Sequence, residues 1–371
     1  MKLLQISKYF YPYIGGTEQV ARDIVNSVEC DQKVFCFNAG RKTVIDNVDG
    51  VEVIRAGCFA KVSSQSLSFD YGKLLKKTFR EFQPDVVIFH YPNPFAAHYL
   101  LKILKKRPDC KLILFWHLDI VKQKFLKLFF KGQNLRLIDR ADRILAATPE
   151  HVSGSEFLAD IKEKCTVLPY AVSMPEVTDN TAAVNAIKSE NDGKTVCFAI
   201  GRHIPYKGME YLVKASKYLS DDYRIFIAGQ GPLTPSLKKL AEGDKKITFL
   251  GKISDEQKVA YYRACDVFCF PSVTKNEAFG IALAEAMSLG KPAVTFTIKG
   301  SGVNYVSLGG VTGLEVENGN AEKFAEAIRI LGENKELAAK FGAAAKKRVA
   351  ELFTFENFGK NINGLLKEYD K

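Results

Sequence analysis

The sequence predicts an α/β fold built from two Rossmann-like, doubly wound domains facing a central cleft. Three observations carry this. The 371 residues are long for one core and suit two domains of ordinary size. Short apolar runs such as DVVIFH (85–90) and TVCFAIG (195–201) alternate with stretches of helical spacing, the pattern of parallel strands joined by crossover helices. The alternation breaks once, over residues 173–194, where Pro, Asp, Asn and Ser gather with few large apolar groups. The boundary falls near Pro169–Pro175, giving domains 1–170 and 171–354 and a last segment, 355–371.

Composition narrows the class. Apolar content of 47% and charged content of 26% describe a globular chain. No apolar run approaches the ~20 residues of a membrane span. MKLLQISKYF has too short an apolar core for a signal peptide and lacks a small-residue cleavage site. Eight scattered cysteines without C-x-x-C pairs predict a reduced, cytoplasmic protein with neither disulfide framework nor structural zinc. A net charge of +11 asks for an anionic partner. Nucleic acid is disfavoured, because no zinc-finger, KH or RRM signature appears. Anionic lipid and phosphorylated substrate remain.

In the first half, Lys2–Ser7 reads as a buried strand. Pro12 and the Gly15–Gly16 pair form a loop, Thr17 is a candidate N-cap, and Val20, Ile24 and Val25 begin a helical stripe. A strand, a Gly-rich turn and a helix can bring backbone close to a phosphate, although the string is neither G-x-G-x-x-G nor a Walker loop. VFCF (34–37) and VEVI (51–54) are further strands, a basic helix lies within 67–82, and Leu100–Lys106 closes another. DVVIFH (85–90) and KLILFWH (111–117) end at His90 and His117. Carboxyl ends of parallel strands are where open α/β sheets bind ligands. Residues 122–131 place Phe125, Leu128 and Phe129 on one helical face with Lys122, Lys124, Lys127 and Lys131 nearby, either a packing helix or a membrane-surface helix. RILAAT (143–148) and CTVLPYAV (165–172) complete this half.

The second half repeats the pattern. TVCFAIG precedes Arg202 and Lys207, two cations able to hold a diphosphate. RIFIAGQGP (224–232) ends in a turn at Gly229 and Gly231; ITFLGKIS (247–254) and VFCF (267–270) are strands. A loop then carries Glu277, and a helix over Phe279–Leu289 carries Glu285, eight positions on, or at most ~12 Å of axial rise. Phe279, Gly280 and Ile281 lie at the helix start, where backbone N–H groups are available. Two separated carboxylates beside such amides suit a sugar attached to a nucleotide. PAVTFT (292–297) is a strand, 300–310 a Gly-rich loop and GLEVENG a strand and turn. Ala321–Leu331, Lys335–Leu352 and Phe355–Tyr369 are helical by spacing.

NEAFGIALAEAMSLGKPAV resembles the donor-sugar signature of retaining glycosyltransferase family 4, which has the GT-B fold. Residues 9–25, 113–121, 200–210, 225–232, 249–255 and 268–293 resemble the family in order; Ala171 stands where the family usually has Gly. The resemblance implies transfer of a hexosyl group from a UDP- or GDP-sugar to a hydroxyl, with retention and with the departing phosphate as base. It implies that Gly15 and Gly16 contact the donor's phosphates or sugar. His117 would lie beside the reacting sugar with Asp119 near it. Arg202 and Lys207 would grip the diphosphate, and Gly229 would line the site. Lys252 and Ile253 would meet the base, while Glu277 would orient the sugar and Glu285 the ribose. It implies no metal cofactor, a glycan or lipid-linked acceptor read by the first domain, and a last helix crossing back to that domain. HYPNP with HLDIVKQK is similar to members building bacterial surface polysaccharides, often from mannose-type donors. The rivals are a nucleotide-sugar 2-epimerase of the same fold and a non-catalytic sugar-nucleotide binder.

Overall fold

The computed structural model describes residues 1–13, 15–62, 65–119, 124–174 and 179–370, with backbone alone for 124–129. Pro175, Lys122 and the side chains of Lys124, Phe125, Lys127, Leu128 and Phe129 therefore lie outside the described residues. The chain divides into two compact units: Met1–Ala171 with Phe355–Lys371, and Val172–Thr354.

The first unit runs β1 (Lys2–Ile6), α1 (Gly16–Ser27), β2 (Asp31–Phe37), β3 (Val44–Val48), β4 (Val51–Ala56), β5 (Ala60–Val62), β6 (Gln65–Leu67), α2 (Tyr71–Phe82), β7 (Val86–Tyr91), α3 (Pro94–Leu104), β8 (Lys111–Trp116), α4 (Lys124–Arg140), β9 (Arg143–Ala146), α5 (Pro149–Gly154) and β10 (Cys165–Val167). Its eight-stranded sheet has the order β10-β9-β8-β7-β1-β2-β4-β3. All pairs are parallel except β3 with β4. Central strands are covered on both faces, so they are continuously apolar: Val86–Phe89 and Leu112–Trp116 are fully buried. One layer of the core is aromatic, with Tyr71 stacked on Phe37 at 4.5 Å and Tyr91 on Trp116 at 3.6 Å. Strand order reverses between β1 and β7, which opens a crevice at their carboxyl ends.

The second unit runs α6 (Thr181–Glu190), β11 (Thr195–Ile200), α7 (Met209–Ala215), β12 (Tyr223–Ala228), α8 (Thr234–Leu240), β13 (Ile247–Gly251), α9 (Asp255–Ala264), β14 (Val267–Phe270), α10 (Ile281–Ser288), β15 (Ala293–Phe296), α11 (Val303–Val306), β16 (Gly313–Val316), α12 (Ala321–Glu333) and α13 (Lys335–Leu352). Its six strands are all parallel, in the order β13-β12-β11-β14-β15-β16, and the reversal falls between β11 and β14. The last helix, α14 (Phe355–Lys367), belongs to the first unit, where Asn363 donates to the Ser27 carbonyl at the end of α1 at 2.6 Å.

Three local readings are corrected, and one strand is present that the sequence did not suggest. Gly15, not Thr17, caps α1; Thr17 lies in its first turn. The segment read as a linker contains α6, whose Ala-rich sequence favours helix but buries no residue, so it lacks the large apolar stripe that marks a helix. Asn180 anchors its start to Arg263 of α9 at 2.5 Å. The edge strand β3 has no buried residue and therefore no apolar alternation to read. The Gly-rich loop 300–310 includes the single turn α11.

Two glycines let loops at the carboxyl edge of the second sheet touch through backbone. Gly208 has φ 60°, and a Cβ there would lie 2.0 Å from the Pro271 carbonyl oxygen. Gly229 has φ 105°, and its Cβ would lie 2.0 Å from the Gly201 oxygen. Gly243 also has positive φ but open space around it. Gly243→Ala is expected to cost only the left-handed backbone penalty of about 1–2 kcal/mol. Gly208→Ala is expected to cost more, because Pro271 must also move. Urea midpoints check this, and equal losses at the two positions contradict the close approach.

Candidate active site

At the carboxyl edge of the second sheet, Arg202 follows β11 after Gly201. It is exposed and makes no ion pair among the described residues. Lys207 ends a single 3-10 turn, Pro205–Lys207, before Gly208. Its ammonium meets Glu277 Oε2 at 2.5 Å, and the Ser272 hydroxyl donates to the same oxygen at 2.9 Å. Glu277 lies on the loop between β14 and α10, with its main-chain oxygen accepting from Ser301 Oγ. The lysine and glutamate side chains are 15% and 10% exposed. Burial pushes the Lys207 ammonium down, but the Glu277 carboxylate and Tyr206 overcome this and leave it raised above its ordinary range. Lys207 also lies 5.2 Å above the Phe270 ring.

Glu277 Oε1 makes no hydrogen bond among the described residues. Glu285 differs. Its Oε1 takes Lys258 at 3.1 Å and its Oε2 takes the Tyr262 hydroxyl at 2.8 Å, both from α9. A ribose hydroxyl would have to use the remaining lone pairs of these oxygens. Gly280 caps α10 with φ 90°, and Ile281 is its first residue. The Phe279 ring is in the core, 5.2 Å from Phe353, so only its backbone faces the loop. Lys252 is exposed and Ile253 half-buried on the loop between β13 and α9. For Gly229 the structure shows a packing role against Gly201.

In the first unit, Gly15 and Gly16 open α1 after β1. Arg55, buried on β4, donates to the main-chain oxygens of Phe10 and Tyr11 at 3.2 and 2.5 Å and pairs with Asp46 at 3.1 Å, fixing the chain that leads to these glycines. His90, the second-last residue of β7, and His117, just past β8, are both buried and hydrogen-bonded to each other at 2.9 Å. His117 Nδ1 meets the Tyr170 hydroxyl at 2.7 Å, and His90 Nε2 meets Gln5 Oε1 at 3.0 Å. Both ring nitrogens of His117 are thus engaged. Burial drives His90 down to about 3, and burial together with His90 and His151 drives His117 well below its ordinary value.

Asp119 is buried at the exit of β8. Its carboxylate accepts from Trp116 Nε1 and Ser155 Oγ, each at 2.8 Å, and from the Glu156 amide at 3.3 Å. A buried carboxylate gathers interior donors to offset its lost hydration, and here that ties the exit of β8 to the segment after α5. Reading the chain alone missed Ser272, Lys258, Tyr262, Arg55, Gln5 and Tyr170. The one available signal was Lys258 and Tyr262 four apart on one face of a helix.

Among the described residues no group of three or more His, Cys, Asp or Glu is placed to hold a metal, and no helix is long and apolar enough to cross a membrane. All eight cysteines are free thiols.

Residues 14–173 match the family described as Glycosyltransferase Family 4, and residues 181–348 match Glycosyl transferases group 1. The D-rhamnosyltransferase WbpZ of Pseudomonas aeruginosa is 30% identical over 364 residues, spanning 95% of this chain and 92% of that protein. The chain belongs to glycosyltransferase family 4. Another relative of this family 4 enzyme, the O-antigen chain mannosyltransferase C of Escherichia coli, is 27% identical across 96% of this chain and 95% of that protein. Among solved structures, Anabaena Alr3699/HepE in complex with UDP and glucose superposes with a TM-score of 0.79 at 18% identity, covering 99% of each chain. The fold is GT-B.

The buried histidines of this glycosyltransferase make its stability depend on pH. Folded His90 stays neutral down to about 3, whereas in the unfolded chain it takes up a proton below its ordinary 6.5. The unfolded state then binds more protons, so stability is lost as pH falls from 6.5, by up to about 1.4 kcal/mol per pH unit for each such histidine. Urea midpoints between pH 7 and 5 are expected to drop, and less steeply in His90→Phe. An unchanged slope in that variant contradicts the assignment.

Proposed function

We propose that the enzyme transfers a hexosyl group, with retention, from a UDP- or GDP-sugar to a hydroxyl of a growing glycan or lipid-linked acceptor in cell-surface polysaccharide synthesis. The names of the two curated relatives, for mannosyl and D-rhamnosyl transfer, support a donor of mannose type. The observation that carries the reading is the divided use of Glu277. One oxygen holds Lys207 in place, and the other is left open to a sugar hydroxyl.

In this reading, negative charge builds on the diphosphate as the bond from sugar to phosphate breaks. Lys207, already fixed by Glu277 and Ser272, offsets that charge without reorganising, and exposed Arg202 swings onto the phosphates. The two cations serve in place of a metal. The backbone at Gly280 and Ile281 and the loop at Lys252 and Ile253 complete the donor side. Within the first unit, Gly15 and Gly16 open α1 and offer main-chain amides suited to an anion or a hydroxyl.

The first unit carries 29 Lys and Arg against 21 Asp and Glu, and the second 24 against 21. On α2, Lys73, Lys76, Lys77 and Arg80 are all exposed at i, i+3, i+4 and i+7, one continuous stripe. This stripe supports peripheral contact with an anionic membrane on the cytoplasmic side, where a lipid-linked acceptor would be met.

A panel of UDP- and GDP-sugars, read by donor hydrolysis and transfer, tests the reaction. Lys207→Ala is expected to lower kcat roughly 10²–10³-fold, and EDTA to leave the rate unchanged. Wild-type turnover in Glu277→Ala contradicts the assignment. For the membrane, replacing Lys73, Lys76 and Lys77 by Gln is expected to weaken flotation with phosphatidylglycerol vesicles about a hundredfold, at about 1 kcal/mol per charge. Equal partitioning rejects the stripe as a docking face.

A further inference from the structure

His117 is the third member of a buried row. Gln5 on β1, His90 on β7, His117 past β8 and Tyr170 past β10 are joined in series at 3.0, 2.9 and 2.7 Å. All four are at most 5% exposed, and the two imidazole planes differ by 4°.

The order of donors follows from one end. An amide oxygen only accepts, so His90 carries its proton on Nε2. A neutral imidazole then accepts at Nδ1, which requires His117 to donate from Nε2. His117 Nδ1 is left as an acceptor, and the Tyr170 hydroxyl donates to it. Turning the Gln5 amide over would reverse every donor and acceptor along the row. Gln5 thus decides what His117 offers, across two intervening hydrogen bonds. Its Nε2 is buried with no partner in the present orientation.

We propose that Gln5, His90 and Tyr170 are positioning residues for the transfer reaction: they hold the His117 ring in plane with Nδ1 as an acceptor, which a sugar hydroxyl takes over from Tyr170. This rests on the reading that places His117 beside the reacting sugar. Tyr170 is the exchangeable partner because it lies beyond the last strand, next to the residue at which the first stretch of the unit ends. His90 is held inside the sheet, opposite Phe115 of β8, and cannot leave.

The test combines kinetics with nitrogen NMR of 15N-histidine-labelled protein. In the wild type, His117 is expected as the neutral Nε2–H tautomer. His90→Phe removes the acceptor and is expected to give a mixture of tautomers and a kcat about tenfold lower, with donor KM within about twofold. His90→Asn places an amide oxygen where Nδ1 stood and is expected to restore most of the rate. In a His117→Ala background, His90→Phe is expected to have no further effect. Losses that multiply in the double variant overturn the positioning role while leaving His117 in the site. Wild-type turnover in His117→Ala overturns both. The tautomer readout needs no turnover, so an Nδ1–H form in the wild type overturns the geometry whatever the reaction proves to be.

Discussion

The ion pair between Lys207 and Glu277 joins the two loops that diverge where the strand order of the second sheet reverses. Lys207 follows β11 and Glu277 follows β14, 70 residues later, and these strands are neighbours. Crossover helices leave the adjacent strands in opposite directions at such a point, and the crevice between their loops is where an open α/β sheet accepts a ligand. Breaking the pair would leave one buried charge uncompensated, which is far more costly than losing a surface pair. The surrounding features serve it: Ser272 shares the carboxylate, Ser301 pins the Glu277 backbone, and Gly208 lets the two loops meet.

The first sheet reverses between β1 and β7, and its candidate groups gather by the same logic. The glycines follow β1, while His90 and His117 end β7 and follow β8. The chemistry differs. The second unit presents a cation held by a carboxylate. The first presents neutral, buried, hydrogen-bonded groups and backbone.

Most of the fold was legible because parallel strands buried on both faces are continuous apolar runs, as in Val86–Phe89 and Leu112–Trp116. Elements without buried residues, α6 and β3, carried no such signal. The candidate donor-site residues stand out as types at spacings, but their partners do not. Nothing local links Glu285 to Lys258, His117 to Tyr170, or Asp119 to Ser155. Asp119 shows why: a carboxylate beside a strand end gives no sign in the sequence of the Trp116 indole and the Ser155 hydroxyl that donate to it.

The closing helix α14 belongs with residues some 340 positions upstream, bonded through Asn363 to Ser27. A ribosome therefore releases every residue of the second unit before the first can be completed, so the later-translated unit is the first that can be whole. Chimaeras that exchange nucleotide specificity between relatives should treat 172–354 as an insertion cassette, and keep the terminal helix with its own N-terminal partner.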